Sequence, residues 1–503
     1  MKILIVNRFF GGAQIPTGRM AEDVARVLVE SGHEVTALAS TGTYAGAEKR
    51  GGNKSRVTGG ECKEAAHSAG SDTELKHRTT ASPKNRSTLR VETVRVPKWM
   101  PRALAWVWFA WQARKRIPRM DWDVCVLMTD PPLLPLLTAR MKAADGLRDY
   151  GTTGPRDATR RVAVWLMDLY PEALVASGRT ATNNPIYRWY FSKRQQSLAA
   201  ADLLICLGQA QKELLDTGRI RQTANSIRKE EGEGGGKNGV SVGRYFGRAV
   251  GTETLKHRNT EPPRPPLTQR VRTAVVPPWD DRGNIALATE GSLKNLALYA
   301  GNLGEAHCFE EILAAAPFLP GDWTIRFAVR GAKLAALKAA ASGIRHTAES
   351  IRSEAEGTRD ESGSGSGVNS GSLKLTDLKL KTAGAVVHVS GYASEEETPR
   401  LLASARVHLI TMSPGWEGIV VPSKLYGCVR TGRPVLFIGP ENADTAREIR
   451  AHDWGKVLPP GASGEDVAAA ILELAARPTR ATQLQRGAAE VAGELIQLAE
   501  GDR

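Results

Sequence analysis

Two strand-length apolar runs, Val407 to Thr411 (VHLIT) and Val435 to Ile438 (VLFI), flank a helical span from Ser423 to Thr431. That arrangement predicts a βαβ unit, because parallel neighbours need a long crossover and cannot be joined by a tight hairpin. In such a unit the loop leaving the first strand, here Ser413 to Pro422, lies at the carboxyl edge of the sheet, where helix amino termini meet a ligand. Ser423 stands at an N-cap position, its hydroxyl and the following free N–H groups available to an anion. Lys424 adds a positive charge beside them, and Glu417 supplies an acceptor suited to hydroxyls. An ordinary surface loop with a capped helix and a solvated lysine satisfies the same spacing.

The segment EGIVVPSKLYG followed by GRPVLFIGP resembles the donor-binding segment of bacterial glycosyltransferase family 4, retaining enzymes of the GT-B fold. It is most similar to the PSK-containing branch that builds capsule, O-antigen and colanic-acid-like polysaccharides. The family at large carries two glutamates separated by seven residues in this segment. Counted from Glu417 the second position is Leu425, and counted back from Gly432-Arg433-Pro434 it is Gly427. The resemblance implies a nucleotide-sugar donor, with Ser423 and Lys424 at its diphosphate and Glu417 at its sugar.

At 503 residues the chain exceeds one ordinary core, so two domains with insertions are expected. An excess of 68 Lys and Arg over 54 Asp and Glu gives +14, which suits an anionic partner: a nucleotide, a lipid pyrophosphate, a membrane face or a nucleic acid. Cys62, Cys125, Cys206, Cys308 and Cys428 are widely spaced with no CxxC, which predicts neither disulfides nor a zinc site and favours a reducing cytoplasm. The opening MKILIVNRFF is too short an apolar run for a signal peptide or a membrane span, and no later run reaches about 18 uninterrupted apolar residues.

In chain order, Lys2 to Val6 reads as a buried parallel strand, Gly18 to Ser31 as an amphipathic helix and Glu34 to Leu38 as the next strand. Between the first two lies FFGGAQIPTG, whose glycines let backbone come close to a ligand. By the resemblance, Gly18 and Arg19 face the donor phosphates. A solvated first-turn arginine is the plainer account of Arg19. Residues 45 to 87 are polar, Gly/Ser/Lys-rich and aperiodic, and are expected to form a disordered insertion. Leu89 to Val96 alternates like a strand. WMPRALAWVWFAWQARKRIP then sets Trp106, Phe109 and Trp111 beside Arg114, Lys115 and Arg116. Such a helix suits peripheral contact with the cytoplasmic membrane face near a lipid-linked acceptor, or equally plain packing on the sheet with a solvated basic end. Strands at Asp123 to Met128 and Val162 to Leu166 end in TDPPLLPLL and MDLYPEAL. Asp168, just past the second, is the candidate base or positioner for an acceptor hydroxyl, with a helix N-cap as the alternative. Many relatives carry a histidine in this neighbourhood, where Met167 and Asp168 stand here.

A helix over Tyr187 to Ala200 and a strand at Leu203 to Leu207 continue the alternation, and residues 221 to 268 lapse into a second low-complexity insertion. Its KEEGEGGGKNG is no Walker loop, since Glu231 stands where the first glycine belongs. After VVPPW the boundary falls near residue 285, giving an acceptor-side domain 1–285 and a donor domain 286–503. Ala297 to Ala300 runs into GNLGEAH, which in similar proteins meets the donor diphosphate, so Gly301, Asn302 and Gly304 join the site. Ile325 to Val329 is followed by RGAKL, whose Arg330 and Lys333 suit a diphosphate by charge or are solvated at a helix start. Residues 344 to 382 make the third insertion. LKHR at 75–78 and 255–258, and ANSIRKE against AESIRSE, mark the three insertions as related expansions of surface loops. The strand Val386 to Val389 precedes Tyr392, which by the resemblance contacts the base mostly through its backbone. The tail from Gly464 onward reads as an amphipathic helix pair.

The expected fold is α/β, GT-B: two doubly wound Rossmann-like domains facing across a cleft. The implied activity is retaining transfer of a sugar from a nucleotide diphosphate to a lipid-linked or glycan acceptor. No metal is expected, because helix termini and cations can neutralise the leaving diphosphate. The competing readings are a GT-B epimerase and a catalytically decayed basic protein that binds membrane or RNA. The insertions lack aromatics interleaved with their cations apart from Tyr245 and Phe246, which argues against a single-strand stacking platform.

Overall fold

The computed structural model describes residues 1–11, 15–40, 88–97, 99–148, 160–217, 266–280, 294–343, 377–394, 396–480, 482 and 487–501. Nearly all of the three low-complexity segments, and the boundary at residue 285, lie outside the described residues. The described ends of two of them carry structure: Leu267–Arg270 forms a short helix and Leu378–Lys381 a strand.

Two seven-stranded sheets account for the strands. The first comprises β1 (Lys2–Val6), β2 (Glu34–Ser40), β3 (Leu89–Val94), β4 (Val124–Met128), β5 (Arg161–Trp165), β6 (Leu203–Cys206) and β7 (Arg272–Val275), in the order 3-2-1-4-5-6-7 and parallel throughout. The second comprises β8 (Leu296–Asn302), β9 (Thr324–Arg330), β10 (Leu378–Lys381), β11 (Val386–Gly391), β12 (Val407–Thr411), β13 (Val435–Ile438) and β14 (Gly455–Leu458), in the order 10-11-9-8-12-13-14. Only the edge strand β10 runs antiparallel. Central strands such as VCVLM of β4 and VHLIT of β12 are buried at every residue, as sheets covered by helices on both faces require. Two doubly wound sheets are the α/β architecture expected from the alternation.

Chain order reverses between β1 and β4 in the first sheet and between β8 and β12 in the second. Crevices open at the carboxyl ends of strands at such switch points. The loops after β8 and β12 therefore flank the second crevice, and those after β1 and β4 flank the first.

The tail forms the expected pair of helices, and the two pack on different sheets. The helix Gly464–Ala475 does pack there, burying Val467, Ile471 and Leu474. The last helix, Gly487–Glu500, returns to the first sheet: Val491, Leu495 and Leu498 join Ile3, Ile5, Val24, Leu28 and Trp165 in one core. Arg272 of β7 pairs with its Glu494 at 2.7 Å. The amphipathic pattern gives the apolar stripe but not which sheet it covers. A further apolar cluster runs from Val164 and Leu204 of the first sheet to Ile410 and Phe437 of the second, so the halves share a continuous seam.

Candidate active site

A cleft of about 570 Å³ lies between the two halves. Arg19, Asp168, Gly301, Asn302, Gly304, Arg330, Tyr392, Ser423 and Lys424 all line it. Gly18, Lys333 and Glu417 do not.

Lys424 opens the helix Lys424–Val429 and reaches back to β8, where its Nζ donates to Tyr299 Oη at 2.7 Å and sits 4.2 Å from the ring centroid. Burial against that ring lowers its ammonium to about 7. Gly301, at the end of β8, has φ of +141°, and a Cβ there would meet the Lys424 chain at 3.7 Å. That contact is an ordinary van der Waals one, so it is the backbone angle that calls for glycine. Ser423 is the residue before this helix, yet its hydroxyl makes no capping bond to it. With helical φ and ψ of −62° and −18°, Ser423 lacks the extended geometry from which a cap hydroxyl reaches back.

The turn after β8 is laced to the end of β12. Thr411 Oγ1 donates to the Cys308 carbonyl at 2.7 Å, the Cys308 N–H donates to Thr411 Oγ1 at 3.2 Å, and Ser413 N–H donates to the Ala306 carbonyl at 2.8 Å. Inside that turn His307 lines the cleft, its Nδ1 2.6 Å from the Thr411 carbonyl. A carbonyl only accepts, so Nδ1 carries a proton, and burial of the ring keeps a second one off Nε2. Burial and then the nearby Lys424 hold its pKa well below the ordinary histidine value. Lys333, expected at a diphosphate, instead donates its Nζ to the His307 carbonyl. A helix-start cation finds the orphan carbonyl of a neighbouring turn as readily as a ligand, and sequence spacing does not separate the two.

Arg330, at the end of β9, stacks its guanidinium over Tyr392 at 4.5 Å from the ring centroid. Tyr392 therefore contributes its ring to the cleft lining, where a backbone role was expected. On the opposite wall Arg19 approaches Asp280 at 3.5 Å. Gly18 packs instead against the backbone of Phe9 and Gly11, where a Cβ would stand 2.7 Å from the Gly11 carbonyl. Its smallness permits that close approach.

Asp168 follows β5. Its carboxylate is open to cleft water yet walled by protein, and this enclosure raises its pKa to about 6, with Asp130 adding and Arg102 opposing. It caps no helix: the N-cap of the helix Glu172–Ala176 is Pro171. Behind it the Arg194 guanidinium, in the helix Pro185–Leu198, grips the Glu172 carboxylate through both terminal nitrogens and donates to the Tyr170 carbonyl at 2.7 Å. Both charged partners are at most 2% exposed, so this clamp fixes the Asp168–Tyr170 segment from inside the protein.

The 413–422 loop serves the seam as well as the cleft. The Ile419 carbonyl accepts the Leu169 N–H at 2.9 Å, and Gly418 abuts the Ala210 carbonyl, which a Cβ would approach to 2.4 Å. Trp416 and Val420 to Pro422 line the cleft, whereas Glu417 is half-buried off it. Docking across the seam decides which residues of the loop face the ligand space, and that choice is tertiary. His307, Arg179 and Arg102 line the cleft without having been singled out from the sequence. For His307 a signal existed: it ends the same GNLGEAH turn that supplies Gly301, Asn302 and Gly304.

No family model matches the sequence, and no curated protein matches it. Among solved structures the chain is similar to the Anabaena protein Alr3699/HepE, crystallised with UDP and glucose, at 10% identity over 99% of this chain and 97% of that one, TM-score 0.44. It is similar to WaaG, a glycosyltransferase involved in lipopolysaccharide biosynthesis, at 14% identity over 99% and 98%, TM-score 0.44. It is also similar to α,α-trehalose 6-phosphate synthase from Burkholderia multivorans, at 10% identity over 99% and 94%, TM-score 0.46. Likenesses at this level carry nothing about substrate.

Proposed function

We propose that this protein is a retaining glycosyltransferase that moves a sugar from a nucleotide diphosphate onto a lipid-linked cell-surface glycan. What carries the reading is one cleft at two switch points, with Lys424, Arg19 and Arg330 among its cations and the carboxylate of Asp168 set after β5 of the first sheet. The glycosidic bond to the diphosphate breaks, and a bond from the sugar to the acceptor hydroxyl forms with net retention. Asp168 receives or orients the hydroxyl proton, and the cations with the backbone of the glycine turn neutralise the leaving diphosphate. No bound metal is needed for that neutralisation.

The partner reading rests on the helix Arg102–Arg116, which exposes Leu104, Val107 and Trp111 and ends in Arg114, Lys115 and Arg116. Lys115 lies 3.6 Å from the Trp111 ring centroid. Apolar and aromatic side chains beside a basic end suit the headgroup level of an anionic membrane, where a lipid-linked acceptor would be met. Among the described residues no helix is long and apolar enough to cross a membrane.

The test is saturation binding of UDP-, GDP- and dTDP-sugars to the full chain, to Lys424→Ala and to Arg330→Ala. Binding of one nucleotide sugar that both substitutions weaken supports the reading. Binding to anionic vesicles or RNA with no nucleotide sugar bound overturns it in favour of a basic binding protein. Release of a free isomerised nucleotide sugar overturns it in favour of an epimerase.

A further inference from the structure

We infer that His307 is a specificity-determining residue of the cleft, a neutral hydrogen-bond acceptor that selects a donor sugar presenting a hydroxyl to it; this rests on the nucleotide-sugar reading above.

The residue is held at three points, one on its ring and two on its backbone. Its Nδ1–H donates to the Thr411 carbonyl at 2.6 Å, its own N–H donates to the Gly304 carbonyl at 3.1 Å, and its carbonyl accepts from Lys333 Nζ. Tyr299 packs edge-on to the ring with centroids 6.2 Å apart. A histidine fixed this firmly has one tautomer and one orientation. Its Nε2 meets no partner among the described residues, and the residue lines the cleft together with Asn302, Gly304 and Ala306.

The chemistry of that nitrogen narrows what it takes. With the proton on Nδ1, Nε2 offers a lone pair and no hydrogen. It therefore repels the oxygens of a phosphate and accepts from an O–H or N–H. Protonation would reverse this, but Lys424 and Lys333 both stand close and disfavour a second cation in a buried place. The diphosphate is left to Lys424 and the glycine turn, and the group presented to His307 is a hydroxyl of the sugar. A buried acceptor left unpaired by a sugar lacking that hydroxyl penalises the wrong donor, which is how a polar site discriminates.

The experiment titrates the full chain, His307→Ala and His307→Gln by calorimetry with UDP, GDP and dTDP, with their hexose conjugates, and with conjugates of singly deoxygenated hexoses. The alanine variant should bind the free nucleoside diphosphate within about twofold of the parent and lose about tenfold for the hexose conjugate, one hydrogen bond's worth. Glutamine, whose amide oxygen accepts, should recover most of that loss. One deoxy conjugate should bind the parent protein about tenfold more weakly and the alanine variant no more weakly than the full sugar does. Equal losses for nucleotide and conjugate mark a merely structural histidine and overturn the inference, as does a conjugate affinity unchanged in His307→Ala. Absence of any nucleotide binding to the parent protein overturns the nucleotide-sugar reading itself, and this inference with it.

Discussion

The Asp444 carboxylate accepts the Ala210 N–H at 2.7 Å, so a residue that starts a helix beside the second sheet caps the helix Gln209–Thr217 beside the first. The position before that helix is Gly208, where a Cβ would stand 2.2 Å from the Asp444 carboxyl carbon. Arg447, one turn on, pairs with Glu213 through two bonds of 3.0 and 3.1 Å. The cap and the ion pair join the two halves.

Serine is ordinarily a favourable N-cap, yet Gly208→Ser should destabilise this protein. Its Cβ would displace the carboxylate that already performs the capping, and loss of that cap costs about 1 kcal/mol. Asp444→Ala should cost about 1 kcal/mol by removing the cap while leaving space. Urea unfolding of both variants is the measurement, and a gain of stability in Gly208→Ser would refute the arrangement.

If the cleft takes a nucleotide sugar as proposed, Lys424 makes its binding depend on pH. Burial has lowered its ammonium to about 7, so above that value the free protein holds a neutral amine. A diphosphate favours the charged form, so binding takes up a proton, and affinity should fall by up to about tenfold per unit as pH rises above 7. A nucleotide sugar is the right probe, because a free nucleoside diphosphate titrates its own terminal phosphate near pH ~6. Calorimetry in buffers of differing ionisation enthalpy should show proton uptake at pH 8. Lys424→Arg should abolish both the uptake and the slope.

The Arg194–Glu172 clamp predicts a non-additive pair. Arg194→Met leaves the Glu172 carboxylate enclosed without its partner and should cost about 3–5 kcal/mol. The double variant Glu172→Leu with Arg194→Met carries no stranded charge and should be more stable than Arg194→Met alone. Thermal unfolding of the two single variants and the double settles it, and strict additivity would show that the charges are solvated.

How much of this was legible in the sequence follows from where the information lies. VHLIT and VLFI coincide with β12 and β13 because continuous apolar runs this short admit little besides buried strands. The glycine turn after β8 was legible for the same reason, as a strand running into Gly301 and Gly304. β10 and β14 were not: LKLK and GKVL are partly polar edge strands, and the first ends a polar stretch with no apolar run to mark it. Nine of the twelve nominated residues line one cleft. Lys333, Gly18 and Glu417 lie off it because their orientation depends on contacts that spacing does not encode: with the His307 carbonyl, with the Gly11 carbonyl and, for the 413–422 loop, with Ala210. The return of the last helix to the first sheet is tertiary in the same sense.

Asp168 yields the sharpest kinetic expectation. Enclosure has raised its carboxyl to about 6, so below that pH it is protonated and unable to accept the acceptor hydroxyl proton. kcat/KM should therefore fall as pH drops through about 6, the opposite of the limb an essential acid would give. Two neighbours should move that limb in opposite directions. Asp130→Asn removes a negative charge that raises it and should shift the limb to lower pH by roughly a few tenths of a unit. Arg102→Gln removes an opposing positive charge and should shift it to higher pH by a similar amount. Asp168→Asn should lower kcat by about 10²–10⁴-fold and erase the limb. A limb that stays at the same pH in both neighbour variants, or that survives in Asp168→Asn, would assign the proton to another group and leave Asp168 as a positioner of the acceptor.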